Sequence, residues 1–234
     1  VNLEATNELI EIAKRNGVKK FIFSSSAAVY GSPETRQPCK EDGPKAPISP
    51  YGDSKYQAES KVTAFINTPG NHGTSLRFFN VVGTAAPELL DNSVENLVPI
   101  VLGKLNKGEA PEIFGTDYPT TDGTCVRDYV HVSDLADAHV LGLNWLRDGR
   151  GSRVFCLGSG TGFSVREVID HARIVTNREV PVVLGARRAG DAAALVSGSA
   201  RAVAELGWVP QRSTLPQMIR DAWRWAQGGG YPRG

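Results

Sequence analysis

The sequence predicts an α/β fold: a doubly wound parallel sheet with a smaller, mixed α/β lobe. Up to Asn80, helix-patterned and strand-patterned segments alternate, and the strand segments are short, nearly continuous apolar runs, as strands buried on both faces are. The composition permits such a core, because 41% hydrophobic and 22% charged residues over 234 positions exclude a disordered chain.

The first element is a helix over Thr6–Asn16, carrying Leu9, Ile10, Ile12 and Ala13 and stopped by Gly17. Val18–Phe23 is too short for a helix and rich in strand formers, and it ends in Ser24-Ser25-Ser26. Pro33, Pro38, Pro44, Pro47 and Pro50 then make residues 31–50 a surface loop over the carboxyl edge of the sheet, where open α/β sheets hold ligands. A helix from about Pro50 to Phe65 and a strand Ser75–Phe79, ending at Asn80, repeat the rhythm. The texture changes beyond Gly83, with a helix over Val94–Leu105, a short strand at Ile113–Phe114 and a turn-rich stretch at 115–123. An alternating strand through Val126, Tyr129, Val130 and Val132 leads to a helix with Ser133 as N-cap and Asp134 in its first turn. The strand Val154–Leu157, a helix after Ser164, the strand Val180–Leu184 and a last helix through Met218, Ile219, Ala222 and Trp223 complete the pattern, with 227–234 as a frayed end. Residues 1–83 are thus expected to belong to the first domain and 84–234 mainly to the smaller lobe, the two interleaved.

Charge and cysteine usage narrow the function. A net charge of +1 without basic runs excludes a surface built to collect nucleic-acid backbones. No segment reaches the roughly 18 apolar residues of a membrane span, and the start does not resemble a signal peptide, so a cytoplasmic protein is expected. Cys39, Cys125 and Cys156 form no CxxC pair and read as free thiols, and His72, His131, His139 and His171 form no HExxH arrangement; no metal is implied.

Tyr51 and Lys55 stand at i and i+4 on one helix face, opening the helix that follows the Ser-rich strand end. An ammonium beside a phenol favours the phenolate, moving the tyrosine from its usual pKa near 10 toward that of a working base, and Ser26 adds a hydroxyl to the same site. Arg127 and Arg188 offer the paired N–H donors that a diphosphate needs. Gly158-Ser159-Gly160-Thr161-Gly162 invites a dinucleotide reading, but its third glycine is misplaced and no acid follows the next strand; it reads as a tight strand-to-helix turn.

Ser24–Gly31, Tyr51–Lys55, Leu76–Asn80 and the long stretch Gly115–Val132 resemble the extended short-chain dehydrogenase/reductase superfamily, the last stretch its nucleotide-sugar C4-epimerase branch. The resemblance covers about Asn2–Trp225 and implies an incomplete Rossmann-type sheet with a substrate-binding lobe. It further implies an isomerase of galactose metabolism that uses NAD on UDP-glucose and UDP-galactose through a transient 4-keto sugar. Tyr51 would be the base and acid at the 4-hydroxyl, Lys55 would hold the nicotinamide ribose, and Ser26 would bridge Tyr51 and the 4-oxygen. Asn2 would support the lysine, Ser24, Ser25 and Phe79 would complete the cofactor contacts, and Ala5 stands where relatives usually carry Gly. Asn80, Asn96 and Leu97 would hold the nucleotide sugar, Phe114 the uracil, Arg127 and Arg188 the diphosphate, and Asp191 the uridine ribose. Leu195 either bounds the pocket at the sugar's C2 substituent, favouring the unacetylated pair of sugars, or is a plain packing residue.

A homodimer through two helices, about Leu3–Asn16 and Ser54–Phe65, is also implied. The family's opening strand and GxxGxxG turn do not occur here, roughly the first 100 residues of its pattern. The chain is therefore expected to be a fragment of a longer enzyme, or a truncation that binds NAD poorly and leaves a sheet edge exposed. A 4,6-dehydratase needs acids where Ala27 and Ala28 stand, and a uronate epimerase needs a cationic site that is not found. A non-catalytic nucleotide-sugar-binding remnant stays open.

Overall fold

The computed structural model describes residues 2–33, 37–89, 91 and 95–226; the tail expected at 227–234 lies outside them. α1 (Asn2–Arg15), β1 (Lys20–Ser26), α2 (Pro50–Ile66) and β2 (His72–Phe78) alternate as expected, and β6 (Arg153–Leu157) completes a parallel sheet in the order β1-β2-β6. Strand side chains alternate between faces. Phe23 packs against Ile10 of α1 and Ala58, Val62 and Phe65 of α2. Leu76 and Phe155 face the other way, onto Leu135, Ala138 and Leu146 of α4 (Val132–Arg147). The sheet is therefore covered on both faces, which is why Phe21–Phe23 and Val154–Leu157 read as apolar runs without a polar side.

After Phe78 the chain leaves this sheet within two residues. β3 (Asn80–Val82) already pairs in parallel with β5 (Val126–His131), which also takes antiparallel β7 (Gly162–Ser164) and parallel β9 (Ala194–Leu195). β4 (Glu112–Phe114) and β8 (Val183–Gly185) form a separate two-stranded ribbon. α3 (Leu97–Lys107), α5 (Val165–Thr176) and α6 (Leu215–Trp225) close a second core through Val101, Leu105, Val168, Ile169, Met218 and Ile219.

Several boundaries differ from expectation. α1 begins at Asn2 rather than Thr6. β1 runs through the three serines, because their backbone continues the register with Leu76, Arg77 and Phe78. α3 starts at Leu97, and Val94 lies outside the described residues. β8 is shifted to Val183–Gly185, where it pairs with β4. The glycine-rich turn after β6 leads into β7 before α5 begins, and Ser164 caps α5 in a reciprocal box with Glu167. The expected cap of α4, Ser133, lies inside the helix: the cap is His131, whose Nδ1 accepts from the Ser133 amide at 3.0 Å. Asp134 is in the first turn but serves the following chain, accepting from the amides of Gln211 and Arg212 at 3.1 and 2.9 Å and from the Ser213 hydroxyl at 2.6 Å. No helix of the described residues is long and apolar enough to cross a membrane.

His131 is buried, with Nε2 3.3 Å from Asp221. Burial holds its imidazole below the usual pKa, against the opposing pull of Asp221. The unfolded chain binds a proton near pH 6.5 that the native chain refuses, so stability contributed by neutral His131 is present above that pH and is lost as pH falls below it. His131→Asn, which keeps a capping side chain, is expected to flatten the decline in urea midpoint between pH 7.5 and 5.5; an unchanged decline in the variant would show that other groups cause it.

Candidate active site

The first turn of α2 is set by Ser49, whose hydroxyl accepts from the Gly52 amide at 3.1 Å, and by Pro50 at its first position. Gly52 lets this turn press on the end of β1: a Cβ there would lie 2.6 Å from the Ala28 carbonyl oxygen. Tyr51 therefore emerges beside the short helical turn Ala27–Tyr30 that Ser26 caps, with 52% of its surface exposed. One turn on, the Lys55 ammonium donates to the Ser24 carbonyl at 3.2 Å and lies 6.0 Å from the Tyr51 ring centre and 5.5 Å from that of Phe23. Burial pulls Lys55 below its usual pKa.

The three serines divide by strand alternation. Ser24 Oγ lies 3.2 Å from His139 Nε2 of α4. Ser26 Oγ accepts from the Ala28 amide at 3.2 Å, which leaves its own O–H to donate outward. Ser25 turns the opposite way: it is 2% exposed, and its hydroxyl is spent inside the protein, donating to Glu59 at 2.6 Å. Asn2 reaches Ser54 Oγ at 3.3 Å, next to Lys55 in sequence but bonded to the helix. Phe79 is buried with Ala27, Val29, Tyr30, Cys39 and Cys156, and Leu195 packs on the same cluster.

The donor set at this strand end fits a nicotinamide ribose. The Lys55 ammonium carries three N–H donors, of which one meets a backbone carbonyl, and an exposed phenol and the Ser26 hydroxyl stand at the same edge. A vicinal diol is the kind of ligand that a half-buried ammonium can bind by donation alone.

A second centre lies in the mixed lobe, a cleft of about 290 Å³. Of the residues singled out by sequence, Asn80, Asn96, Leu97, Phe114, Arg127, Arg188 and Asp191 all line it. Phe79 and Leu195 do not; Leu195 instead sits opposite Arg127 in the β5–β9 pairing and spans the space between the cleft and the cluster at the end of β1. Arg127 is held by the Ala192 carbonyl at 2.7 Å and by Asp191 at 3.3 Å, and Asn80 donates to the Asp128 carbonyl at 3.0 Å. The Arg188 guanidinium lies 3.7 Å over the Phe114 ring, so one face of that ring is already covered. Arg187 clamps the 115–118 strap, donating to Asp117 at 2.6 Å and lying 4.2 Å from the Tyr118 ring centre. Lys104, Glu112 and Cys125 also line the cleft; nothing in their sequence context marked them. The three cysteines are free and buried, and burial pushes Cys39 up to about 11 and Cys156 to about 12, out of the nucleophilic range. Among the described residues no group of His, Cys, Asp and Glu gathers as a metal site.

Residues 1–158 match the family model "NAD dependent epimerase/dehydratase family". A UDP-glucose 4-epimerase of Streptococcus mutans is 44% identical over 232 residues, which span 97% of this chain and 68% of that protein. One of Lacticaseibacillus casei is 42% identical, over 97% of this chain and 69% of its own length. Among solved structures, the Stenotrophomonas maltophila UDP-glucose-4-epimerase with bound NAD and formylated UDP-arabinopyranose superposes with a TM-score of 0.91 at 37% identity, covering 97% of this chain and 69% of that one. The Bifidobacterium longum UDP-glucose 4-epimerase in complex with NAD+ and UDP gives 0.87 at 36% identity, covering 98% and 70%.

Asp128 joins the cleft loop to the sheet. It is fully buried and accepts from the Ser159 amide and hydroxyl at 2.8 and 2.7 Å, the Gly160 amide at 3.0 Å and the Ser197 amide at 2.9 Å. Asp128→Asn turns an amide N–H₂ toward backbone donors; we expect a loss of about 1–3 kcal/mol in urea unfolding and faster proteolysis within 186–198. Unchanged stability together with unchanged cleavage would refute this role.

Proposed function

The chain belongs to the NAD dependent epimerase/dehydratase family, and from that premise we propose that it inverts C4 of UDP-glucose and UDP-galactose, with NAD as cofactor. The observation that carries the site assignment is the placement of the Lys55 ammonium 6.0 Å from the Tyr51 ring, against the strand end that holds Ser26.

Tyr51 takes the proton of the sugar 4-hydroxyl and returns it at the end of the cycle. Lys55 keeps a positive charge beside the phenol, favouring its ionised form while the proton is away. The Ser26 O–H, free because its oxygen already caps the turn, donates to the sugar 4-oxygen or to the phenolate and holds the two in line. Bound NAD supplies reversible hydride acceptance at C4, so the reaction consumes no net oxidant. In the cleft, Arg127 and Arg188 neutralise the diphosphate and Asp191 accepts from the uridine ribose, with Phe114 beside the base. The nucleotide is thus anchored by one set of residues and the hexose worked on by another. That separation lets a 4-keto sugar turn over without loss of the substrate. Ala27 and Ala28 offer no acid beside the catalytic hydroxyl, which disfavours elimination of water from the same oxidised sugar.

A homodimer through the outer faces of α1 and α2 accounts for exposed Leu9, Ile12 and Tyr56, and a cytoplasmic location accords with the substrates.

Mixing the chain with NAD and UDP-galactose and assaying UDP-glucose tests the reaction. Tyr51→Phe is expected to lower turnover by about 10²–10⁴-fold and to leave UDP affinity unchanged by calorimetry; retained turnover would remove Tyr51 from its role. Leu195→Ala is expected to raise kcat/KM for UDP-N-acetylglucosamine relative to UDP-glucose by about 10-fold, measured by competition, and no change in that ratio would leave Leu195 a packing residue.

A further inference from the structure

Ser25, Glu59 and Arg77 face away from the ligand side of β1, yet they join the two elements that carry the chemistry. Tyr51, Lys55 and Glu59 follow one another at intervals of four on a single face of α2. Ser25 lies between Ser24, whose carbonyl receives Lys55, and Ser26, which caps the turn beside Tyr51. Its hydroxyl donates to Glu59 at 2.6 Å, a bond between the strand end and the helix one turn beyond Lys55.

Arg77 stands directly opposite Ser25 in the β1–β2 register, is 1% exposed, and forms a two-pronged pair with Glu59. Its Nη1 donates to the Tyr30 hydroxyl and the Glu41 carbonyl, both at 2.7 Å. Tyr30 is the last residue of the turn that Ser26 opens. The helix with the base and the turn with the donor hydroxyl therefore hang on the same buried guanidinium. Apolar packing of α2 on the sheet starts only at Ala58, beyond the catalytic turn.

We propose that Ser25, acting through Glu59 and Arg77, is a positioning residue that holds the Tyr51–Lys55 face of α2 in register with Ser24 and Ser26. The inference rests on the C4-epimerase reading above. Misplacement of a reacting group by about 1 Å costs on the order of 100-fold in rate, so a loosened helix start is felt in turnover before it is felt in binding.

The test is Ser25→Ala in the full chain, with Ser25→Cys, equal in size and a weak donor, in its place should the alanine variant not fold. Epimerisation of UDP-galactose, UDP affinity by calorimetry, and amide hydrogen exchange across residues 50–59 are measured together. Exchange at the start of α2 reports how firmly the Tyr51–Lys55 turn is held, without reference to turnover.

The expected result is a kcat lower by about 10–100-fold with KM and UDP affinity within about twofold, and faster amide exchange across residues 50–59. Ser25→Thr, which keeps the hydroxyl, should stay within about threefold of the wild-type kcat. Wild-type kcat and wild-type exchange across residues 50–59 in Ser25→Ala, with only earlier melting, would overturn the proposal, as would equal losses in the alanine and threonine variants. A wild-type chain that does not epimerise refutes the assigned reaction, and the exchange at the start of α2 then decides the positioning role by itself.

Discussion

A guanidinium buried to 1% exposure inside a sheet is the constraint on which the catalytic end of this fold depends. Taking an arginine out of water costs several kcal/mol unless its nitrogens find acceptors in place, and all three nitrogens of Arg77 do so by drawing on three separate segments. Glu59 comes from α2, Tyr30 from the turn after β1, and the Glu41 carbonyl from the proline-rich loop. Glu41 is itself committed, its carboxylate accepting the Cys156 amide at 3.0 Å on the neighbouring strand. Moving any one of these segments alone strands a charge. The cooperativity this imposes is greater than apolar packing alone would give, because dispersion contacts tolerate sliding and a forked hydrogen-bond donor does not.

The second centre is organised by the same logic with the sign reversed. Asp128 is a buried carboxylate surrounded by donors from the turn after β6 and the segment after β9, and burial still holds its carboxyl above the usual range. Its neighbour in sequence, Arg127, points into the cleft and is braced by Ala192 and Asp191. One strand thus places an anion inward to fix the 188–198 loop and a cation outward into the cleft, using nothing more than the alternation of side chains along β5. The loop's contribution to the cleft, Arg188 and Asp191, is only as well placed as that anchor.

How far the sequence could be read follows from which signals are local. α2 was legible to within a residue because Ser49-Pro50 starts it and the tyrosine–lysine spacing declares its face. The residues of the cleft were legible through resemblance, and seven of them converge on one cavity. β7 and β9, three and two residues long, carry no period and exist only because β5 offers them backbone partners. The His131 cap was missed because serine is the commoner cap and the imidazole's acceptor nitrogen shows only once the ring is placed. Glu59 and Arg77 were silent for a deeper reason: eighteen residues apart, they look like solvated charges until the β1–β2 register puts Arg77 beside Ser25.

The glycine-rich turn at 158–162 shows why motif and mechanism must be separated. Successive backbone amides in such a turn form a concavity that attracts an anion, and this is the property exploited when glycine-rich turns bind phosphates. Here the anion is part of the chain: the amides of Ser159 and Gly160 point at Asp128, and a Cβ on Gly158 would lie 2.5 Å from the same carboxylate. Gly158 is required because the carboxylate approaches too closely for any side chain, and Gly160 because its φ of 77° is strained for other residues. The turn is therefore accounted for in full by an internal ligand. A dinucleotide brought to it would have to displace a buried carboxylate from four donors, which is why the spacing rejected on sequence grounds is also rejected by electrostatics.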